Sequence, residues 1–168
     1  MSYDRICKVD LSAETTTQIS LTGLTNIIAM SLGNGNDLYV LIVDSESPVN
    51  YYYIKMNHST GLYTWVKKMP CETGETCTSS SSGIGFNSNK SKVYFSTHIH
   101  NGMLWTTLDS ATGAANGNQF VLEDALEVVD LHVAGGNIYM IIEKSGFIFT
   151  RFDTSTSTFS DTTGVSGK

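Results

Sequence analysis

A unit of two apolar strands followed by a polar turn occurs three times in this chain, and this repetition restricts the fold more than any other feature. The paired strands are predicted at residues 38–43 and 51–56, 93–97 and 103–108, and 138–142 and 147–152. The turns begin at Asn57, Asp109 and Asp153, at intervals of 52 and 44 residues. A period in this range is typical of proteins built from repeated four-stranded blades.

The turn residues explain why the pattern recurs. An Asp or Asn at the first position accepts hydrogen bonds from backbone N–H groups two or three residues further on. Gly61 and Gly113 stand at the fifth position of the first two turns, where glycine adopts a positive φ at low cost. The third turn has Ser157 instead, so we expect it to form differently or to be strained.

Each unit is preceded by a hairpin, which gives four strands per repeat. The first strands are predicted at residues 26–32, 83–86 and 128–133, and turn residues separate each of them from the next strand. Outer strands are predicted at 62–66 and 119–122. Val128 and Val129 favour a strand over a helix at residues 123–131. The predicted fold is all-β, with about three and a half four-stranded antiparallel β-propeller blades.

The predicted blades divide the chain into five segments. Residues 1–22 form the last strands of a preceding blade, 23–70 a blade, 71–82 a connecting loop, 83–123 a blade, and 124–168 a blade with a C-terminal tail. Propellers usually close with four to eight blades. We therefore expect the chain to belong to a larger protein, or its copies to associate and complete a ring.

One turn with its following strand resembles the blades of the quinoprotein-like (PQQ-type) propeller superfamily. Residues 57–65 read NHSTGLYTW and are similar to the D-x-x-T-G-x-x-x-W pattern of that family, with Asn for Asp. Residues 109–113 keep the turn but Gly117 falls at the Trp position, and the third copy keeps only Asp153 and Thr156. The resemblance implies the propeller fold. It does not imply the quinone cofactor, and no cofactor is predicted.

Charge argues against a nucleic-acid partner. The chain has 10 basic and 16 acidic residues, a net charge of -6, and no basic stripe to offset the repulsion of a polyanion. It contains no apolar run of the length that spans a membrane, and residues 1–8 lack the apolar core of a signal peptide. The chain is then either intracellular or a piece of a longer secreted precursor.

Two features favour the secreted alternative. Asn57 and Asn89 each begin an N-glycosylation sequon, and both fall in turns that a propeller places on one face. Cys71 and Cys77 bracket a short polar segment that a disulfide could close. The alternative is two free thiols, as in a cytosolic protein. Cys7 is left over and either pairs elsewhere or is a buried thiol.

The opposite face is expected to be acidic. Such a surface could attract Ca²⁺ or a basic partner, although no calcium-binding loop motif is present, and the simpler interpretation is a hydrated loop surface. His98 and His100 could contribute to a Zn²⁺ site with His132. The acidic residues of this face are Asp44, Glu46, Glu72, Glu75, Glu123, Asp124, Glu127 and Glu143.

No catalytic motif is visible, so the sequence predicts a non-enzymatic function. We expect an extracellular or cell-surface structural or protein-interaction module, part of a larger surface protein or a fibrous assembly, whose partners are other chains or further blades. The recurring Tyr39, Tyr94 and Tyr139 are expected to pack between blades. The alternatives are a carbohydrate-binding or carbohydrate-cleaving propeller, in which Glu123 and Asp124 would be tested first, and an intracellular interaction propeller.

Overall fold

In the residues that the structure describes, the chain consists of antiparallel strands joined by turns. A computed structural model describes residues 5–20, 26–43, 50–70, 83–99, 102–116, 120–123, 127–143, 145–156 and 158–165. Fourteen strands and no helix occur within these ranges, which confirms the all-β prediction. No described segment is a helix of the length and apolarity needed to cross a membrane.

The strands form three four-stranded sheets and one two-stranded sheet, each with its strands in chain order. The two-stranded sheet, termed the half-blade, contains β1 (Arg5–Asp10) and β2 (Thr15–Ser20). Blade 1 contains β3 (Ile27–Leu32), β4 (Asp37–Val43), β5 (Asn50–Asn57) and β6 (Tyr63–Pro70). Blade 2 contains β7 (Ile84–Phe86), β8 (Lys92–Ile99), β9 (Gly102–Asp109) and β10 (Phe120–Glu123). Blade 3 contains β11 (Glu127–Ala134), β12 (Asn137–Glu143), β13 (Phe147–Asp153) and β14 (Thr158–Val165).

These sheets are β-propeller blades that pack face to face in chain order, as predicted. The first strands β3, β7 and β11 lie beside one another, so the first strand of each blade is the innermost. One apolar cluster fills the space between the half-blade and blade 1, a second lies between blades 1 and 2, and a third between blades 2 and 3. The core is therefore a series of layers between sheets.

Each blade has two faces because side chains alternate along a strand. The forward face points to the next blade along the chain, and the rear face points to the preceding one. In β4, Tyr39 and Leu41 are on the forward face and pack with blade 2, whereas Val40 and Ile42 are on the rear face and pack with the half-blade. Both faces are buried, which explains why this strand is a continuous apolar run.

The innermost strands of blades 1 and 3 carry a β-bulge at the same point. The register shifts between Ile27 and Ala29 in β3, opposite Ile42 and Leu41. It shifts between Val128 and Asp130 in β11, at the equivalent place. A bulge bends a strand and increases its twist, so the two bulges curve the strands nearest the axis in the same way.

The turns after the third strand of blades 1 and 2 are built as predicted. The Oδ1 atoms of Asn57 and Asp109 each accept hydrogen bonds from the backbone N–H groups two and three residues further on, at 2.8–3.1 Å. Asp153 accepts the same two bonds, at 2.8 and 3.3 Å. Ser157 lies outside the described residues, but the third turn is capped as the others are.

The half-blade contains a fourth copy of this turn, which the sequence analysis did not identify. Asp10 Oδ1 accepts from the backbone N–H groups of Ser12 and Ala13 at 2.9 and 3.1 Å. Glu14 has a φ of 53°, at the position where Gly61 has 73° and Gly113 has 67°. The signal was missed because a glutamate stands where the repeat has glycine.

Candidate functional site: the blade interfaces and the exposed end face

Three donors from blade 1 converge on one backbone carbonyl of blade 2. The Tyr39 hydroxyl, the Lys55 ammonium and the Trp65 indole N–H donate to the Ser110 carbonyl oxygen at 3.2, 3.1 and 3.3 Å. Lys55 Nζ also lies 2.9 Å from Asp37 Oδ2. Ser110 follows Asp109 in the capped turn, so the turn of one blade is held by three strands of its neighbour.

The protonation states of these donors suit this role. Burial raises the pKa of Tyr39, so the hydroxyl keeps its proton at neutral pH. Burial by itself lowers the pKa of Lys55, but the hydrogen bond with Asp37 and the neighbouring Tyr39 outweigh it, and the pKa is raised. The ammonium therefore stays charged although the residue is only 9 % exposed.

Among the described residues, the interface between blades 2 and 3 has fewer such bonds. The Tyr94 hydroxyl donates to the Thr154 carbonyl oxygen at 3.5 Å, which repeats the Tyr39 contact at a longer distance. Thr107 takes the place of the lysine, and its Oγ1 is buried without a hydrogen-bond partner among the described residues. Tyr39 and Tyr94 both lie between blades, as the sequence predicted.

A second pair of positions shows the same difference between the two interfaces. In the first interface, the Tyr53 hydroxyl and Thr106 Oγ1 are 3.4 Å apart and share a hydrogen bond. Trp105 and Thr150 occupy the equivalent positions in the second interface. Within the described ranges, Trp105 Nε1 and Thr150 Oγ1 have no partner. Buried polar groups without partners are destabilising, so the second interface is the weaker one.

The forward face of blade 3 repeats the cross-strand pairs of blade 1. In blade 1 the forward pairs of β4 and β5 are Tyr39–Lys55, Leu41–Tyr53 and Val43–Tyr51. In blade 3 the corresponding pairs of β12 and β13 are Tyr139–Arg151, Ile141–Phe149 and Glu143–Phe147. The face is therefore built like one that packs against a further blade.

This face is exposed. Phe149 is 40 % exposed, whereas Tyr53 and Trp105, at the equivalent positions of blades 1 and 2, are 1 % and 0 % exposed. Ile141 and Phe147 are also exposed, and the Tyr139 ring stacks on Phe149 at a centroid distance of 6.0 Å. Contiguous exposed apolar side chains of this kind mark interaction surfaces.

A cavity of about 740 Å³ lies along the innermost strands of the three blades. The described residues that line it include no carboxylate and a single aromatic ring, that of Phe86. Its titratable side chains are Lys90 and His132. Lys90 Nζ is already engaged, since it donates to the Gly33 carbonyl oxygen at 3.0 Å. The lining offers space and mixed polarity but no evident catalytic pair.

The two sequons lie in turns at the same face of the molecule. His58, which follows Asn57, donates its backbone N–H to Asn36 in the β3–β4 turn at 2.9 Å. Lys90, which follows Asn89, reaches Gly33 in that same turn. Asn89 is exposed, and Asn57 is half-buried at the start of its turn. Glycosylation itself stays a prediction.

Several predicted site residues lie outside the part of the chain that can be placed. These are Cys71 and Cys77, His100, and the acidic residues Asp44, Glu46, Glu72, Glu75 and Asp124; the side chains of His98, Glu123 and Glu127 are not described either. His132 and Glu143 are described, and no group of three or more potential metal ligands occurs in the described ranges. Cys7 is an exposed free thiol, which excludes the alternative of a buried thiol and leaves pairing outside this segment as a prediction.

Lys55 and Ser110, which carry the first interface, were not predicted from the sequence. A lysine inside an apolar strand was the available signal, because it needs a buried partner. No sequence pattern indicates the role of Ser110, because its backbone carbonyl, and not its side chain, accepts the three hydrogen bonds.

Comparison with known proteins adds one remote likeness. No family model and no curated protein matches the chain. Among solved structures it is similar to the crystal structure of BamB from Moraxella catarrhalis, with 16% sequence identity and a TM-score of 0.38. The alignment covers 89% of this chain and 52% of that one, so the chain spans about half the length of the BamB chain. A likeness at this level assigns neither a function nor a partner.

Proposed function

We propose that this protein is a non-enzymatic structural or protein-interaction module at the cell surface or outside the cell, part of a larger surface protein or fibrous assembly. The observation that carries the proposal is the exposed forward face of blade 3. Its residues occupy positions that are buried in blades 1 and 2. Another protein chain or a further blade would cover them.

Burial of this face is favourable on physical grounds. The side chains of Ile141, Phe147 and Phe149 are between one third and one half exposed, and removing apolar surface from water contributes about 25 cal/mol per Å². Aromatic side chains and arginine are enriched where protein interfaces are tight. Tyr139 adds a donor at the position of Tyr39. Arg151 stands at the position of Lys55, with its Nε and Nη2 donating to Ser160 Oγ of the same blade.

The extracellular setting is supported by the modification sites. Both sequons, at Asn57 and Asn89, lie in turns of one face, away from the packed faces of the blades. The pair Cys71 and Cys77 is placed in sequence to close a short loop. An intracellular interaction propeller, the alternative, would keep both thiols reduced and both asparagines unmodified.

The carbohydrate-directed alternative is less well supported. Glycoside cleavage requires two carboxyl groups on opposite sides of one bond, and sugar binding usually involves aromatic rings. The described lining of the axial cavity has no carboxylate and one aromatic ring. Substituting Glu123 or Asp124 would test the remaining candidates: loss of hydrolysis would support this alternative, and hydrolysis unaffected by substitutions across the acidic loops would exclude these carboxylates as its catalytic groups.

The decisive measurement is the native mass of the protein purified from its source without denaturation. We expect a mass far above the 18.3 kDa of this chain, with the forward face of blade 3 protected from hydrogen exchange or surface labelling. A single chain of 18.3 kDa with that face freely labelled would contradict the proposal.

A further inference from the structure

Both ends of the blade stack expose faces that are buried elsewhere in the molecule. At one end is the forward face of blade 3, described above. At the other is the rear face of the half-blade, where Cys7 is exposed and Val9 is 57 % exposed. Counting back from the capped turns, Val9 corresponds to Met56, Leu108 and Phe152, which are 0–2 % exposed. The two ends therefore present the two sides of one repeated interface.

The half-blade also carries the acceptor that such an interface needs. In blades 2 and 3 the residue after the capping Asp, Ser110 or Thr154, offers its carbonyl oxygen to the tyrosine of the preceding blade. The Asp10 turn has the same cap, which places the Leu11 carbonyl at the equivalent position. Leu11 is 87 % exposed, and its turn is open to an approaching face.

The forward face of blade 3 and the rear face of the half-blade carry opposite charges at the positions that Lys55 and Asp109 occupy in the first interface. Lys55 lies across the first interface from Asp109. Hydrogen bonds from Thr112 are the main cause that lowers the pKa of this carboxyl, and the charge of Lys55 lowers it further. Arg151 stands at the position of Lys55, and Asp10 stands at the position of Asp109. A blade 3 packed on a half-blade would bring this positive and this negative group together.

We propose that the forward face of blade 3 packs on the rear face of the half-blade of a second copy, with the Tyr139 hydroxyl directed at the partner's Leu11 carbonyl. This inference rests on the proposed function and names its partner. The contact joins two different faces and is therefore heterologous, and two copies can make it twice about one two-fold axis.

The half-blade already covers part of a four-stranded face on its other side. Ile6 and Ile19 pack with Leu38, Val40 and Ile54 on the two middle strands of blade 1, whereas Met30 and Leu32 on its innermost strand are 59 % and 62 % exposed. The proposed contact places the same half-blade between two complete blades.

The test uses the purified 168-residue chain and two variants, one for each face. Phe149→Glu places a charge on the forward face and Val9→Glu on the rear face, and both positions are exposed in one copy. Leu62→Glu is the control, since Leu62 is 69 % exposed and lies in a turn. Sedimentation should give twice 18.3 kDa for the wild type and for Leu62→Glu, and 18.3 kDa for each face variant.

Mixing the two face variants tests whether the contact is heterologous. Val9→Glu retains an intact forward face and Phe149→Glu an intact rear face, so an equimolar mixture should recover a two-copy complex through one contact. Recovery would support the proposal. A dimer that Phe149→Glu abolishes but Val9→Glu leaves intact would overturn it, since such a dimer joins two forward faces.

Alkylation of Cys7 gives a readout that does not depend on mass. Cys7 lies on the rear face of the half-blade, so its modification, mapped by mass spectrometry, should be slower in the wild type than in Phe149→Glu. Equal rates together with 18.3 kDa for the wild type would overturn the two-copy contact. If the protein from its source were still heavier, the proposed function would stand with a different partner.

Discussion

Gly113 lies directly against the indole ring of Trp65 on the preceding blade. A Cβ at Gly113 would stand 2.7 Å from Trp65 Cδ2, and the φ of 67° is in the left-handed region. Gly61 meets Ile19 of the half-blade in the same way, at 3.2 Å from Cγ2. The turn glycine thus allows close packing between blades as well as the turn itself.

Replacing this glycine should destabilise the protein strongly. We expect Gly113→Ala to lower the free energy of unfolding by about 3 kcal/mol, because it combines a left-handed backbone conformation with overpacking against Trp65. Gly35→Ala is the matched control: its φ is 57° and no atom lies within 4 Å of the added Cβ, so it should cost about 1 kcal/mol. Urea unfolding measures both. Equal costs would mean that the indole contact contributes nothing.

Lys55 should be coupled energetically to Asp37. Lys55→Met keeps the apolar stem but removes the ion pair and one donor to Ser110, and we expect a loss of about 2 kcal/mol. A double-mutant cycle with Asp37→Asn isolates the pair. The double variant should be less destabilised than the two single variants together, and strict additivity would contradict a direct interaction.

The capped turns should make stability depend on pH in acid. Hydrogen bonds from the turns hold the pKa of Asp10, Asp109 and Asp153 below the ordinary aspartate value. A lowered folded-state pKa contributes stability that is present above the ordinary value and is lost as pH falls through the folded-state value. The urea concentration at the midpoint of unfolding should therefore decrease as the pH is lowered from neutral to about 3.

The turn at Asn57 indicates that asparagine can replace the turn aspartates and so remove the dependence of stability on pH. It accepts the same turn bonds without titrating, so a variant with all three aspartates replaced by asparagine should lose less stability on acidification than the wild type. An unchanged acid loss in that variant would assign the effect to other groups.

The half-blade turn should be stabilised by glycine. Glu14 has a φ of 53° and is exposed, so Glu14→Gly relieves left-handed strain at the cost of backbone entropy. The expected net gain in the free energy of unfolding is about 0.5–1 kcal/mol. Ala13→Gly, one residue earlier and also exposed, has no positive φ to relieve and should destabilise by about 0.5–1 kcal/mol. Thermal unfolding of the two variants distinguishes these outcomes.

Expression through a secretory pathway should modify both sequons. A glycan attaches to the Nδ2 atom, whereas the turns at Asn57 and Asn89 use Oδ1, so modification and capping are compatible. Asn57→Gln and Asn89→Gln should each remove one glycan mass, and non-reducing peptide mapping should join Cys71 to Cys77. An unmodified chain with three free thiols would favour the intracellular alternative.

The sequence was sufficient to predict the blades because the residue patterns that indicate strands and turns are local. The apolar runs around Tyr39, Tyr94 and Tyr139 and the turns at Asn57 and Asp109 determine where strands begin and end. The outer strand of blade 3, Thr158–Val165, was not predicted, because its run of Ser, Thr and Asp carries little apolar pattern. Its antiparallel pairing with β13 is what makes it the fourth strand of the sheet.

The interfaces could not be predicted because they depend on backbone atoms and on residues far apart in sequence. Trp65 and Ser110 are 45 positions apart, and nothing in the serine side chain marks its carbonyl as an acceptor. The bulges at Ile27 and Val128, which curve the innermost strands, were likewise not predicted. The fourth turn at Asp10 was overlooked because its glycine position holds Glu14.

The interface between blades 1 and 2 and the interface between blades 2 and 3 should resist mechanical force to different degrees. Three hydrogen-bond donors of blade 1 bind the Ser110 carbonyl of blade 2. In the described ranges, blades 2 and 3 share the longer Tyr94–Thr154 hydrogen bond, and buried polar atoms between them have no partner. Repeat proteins open unit by unit where neighbouring contacts are weakest. Of these two interfaces, the one between blades 2 and 3 would therefore open first, and a chain bound to the forward face of blade 3 could transmit no more force than this interface withstands.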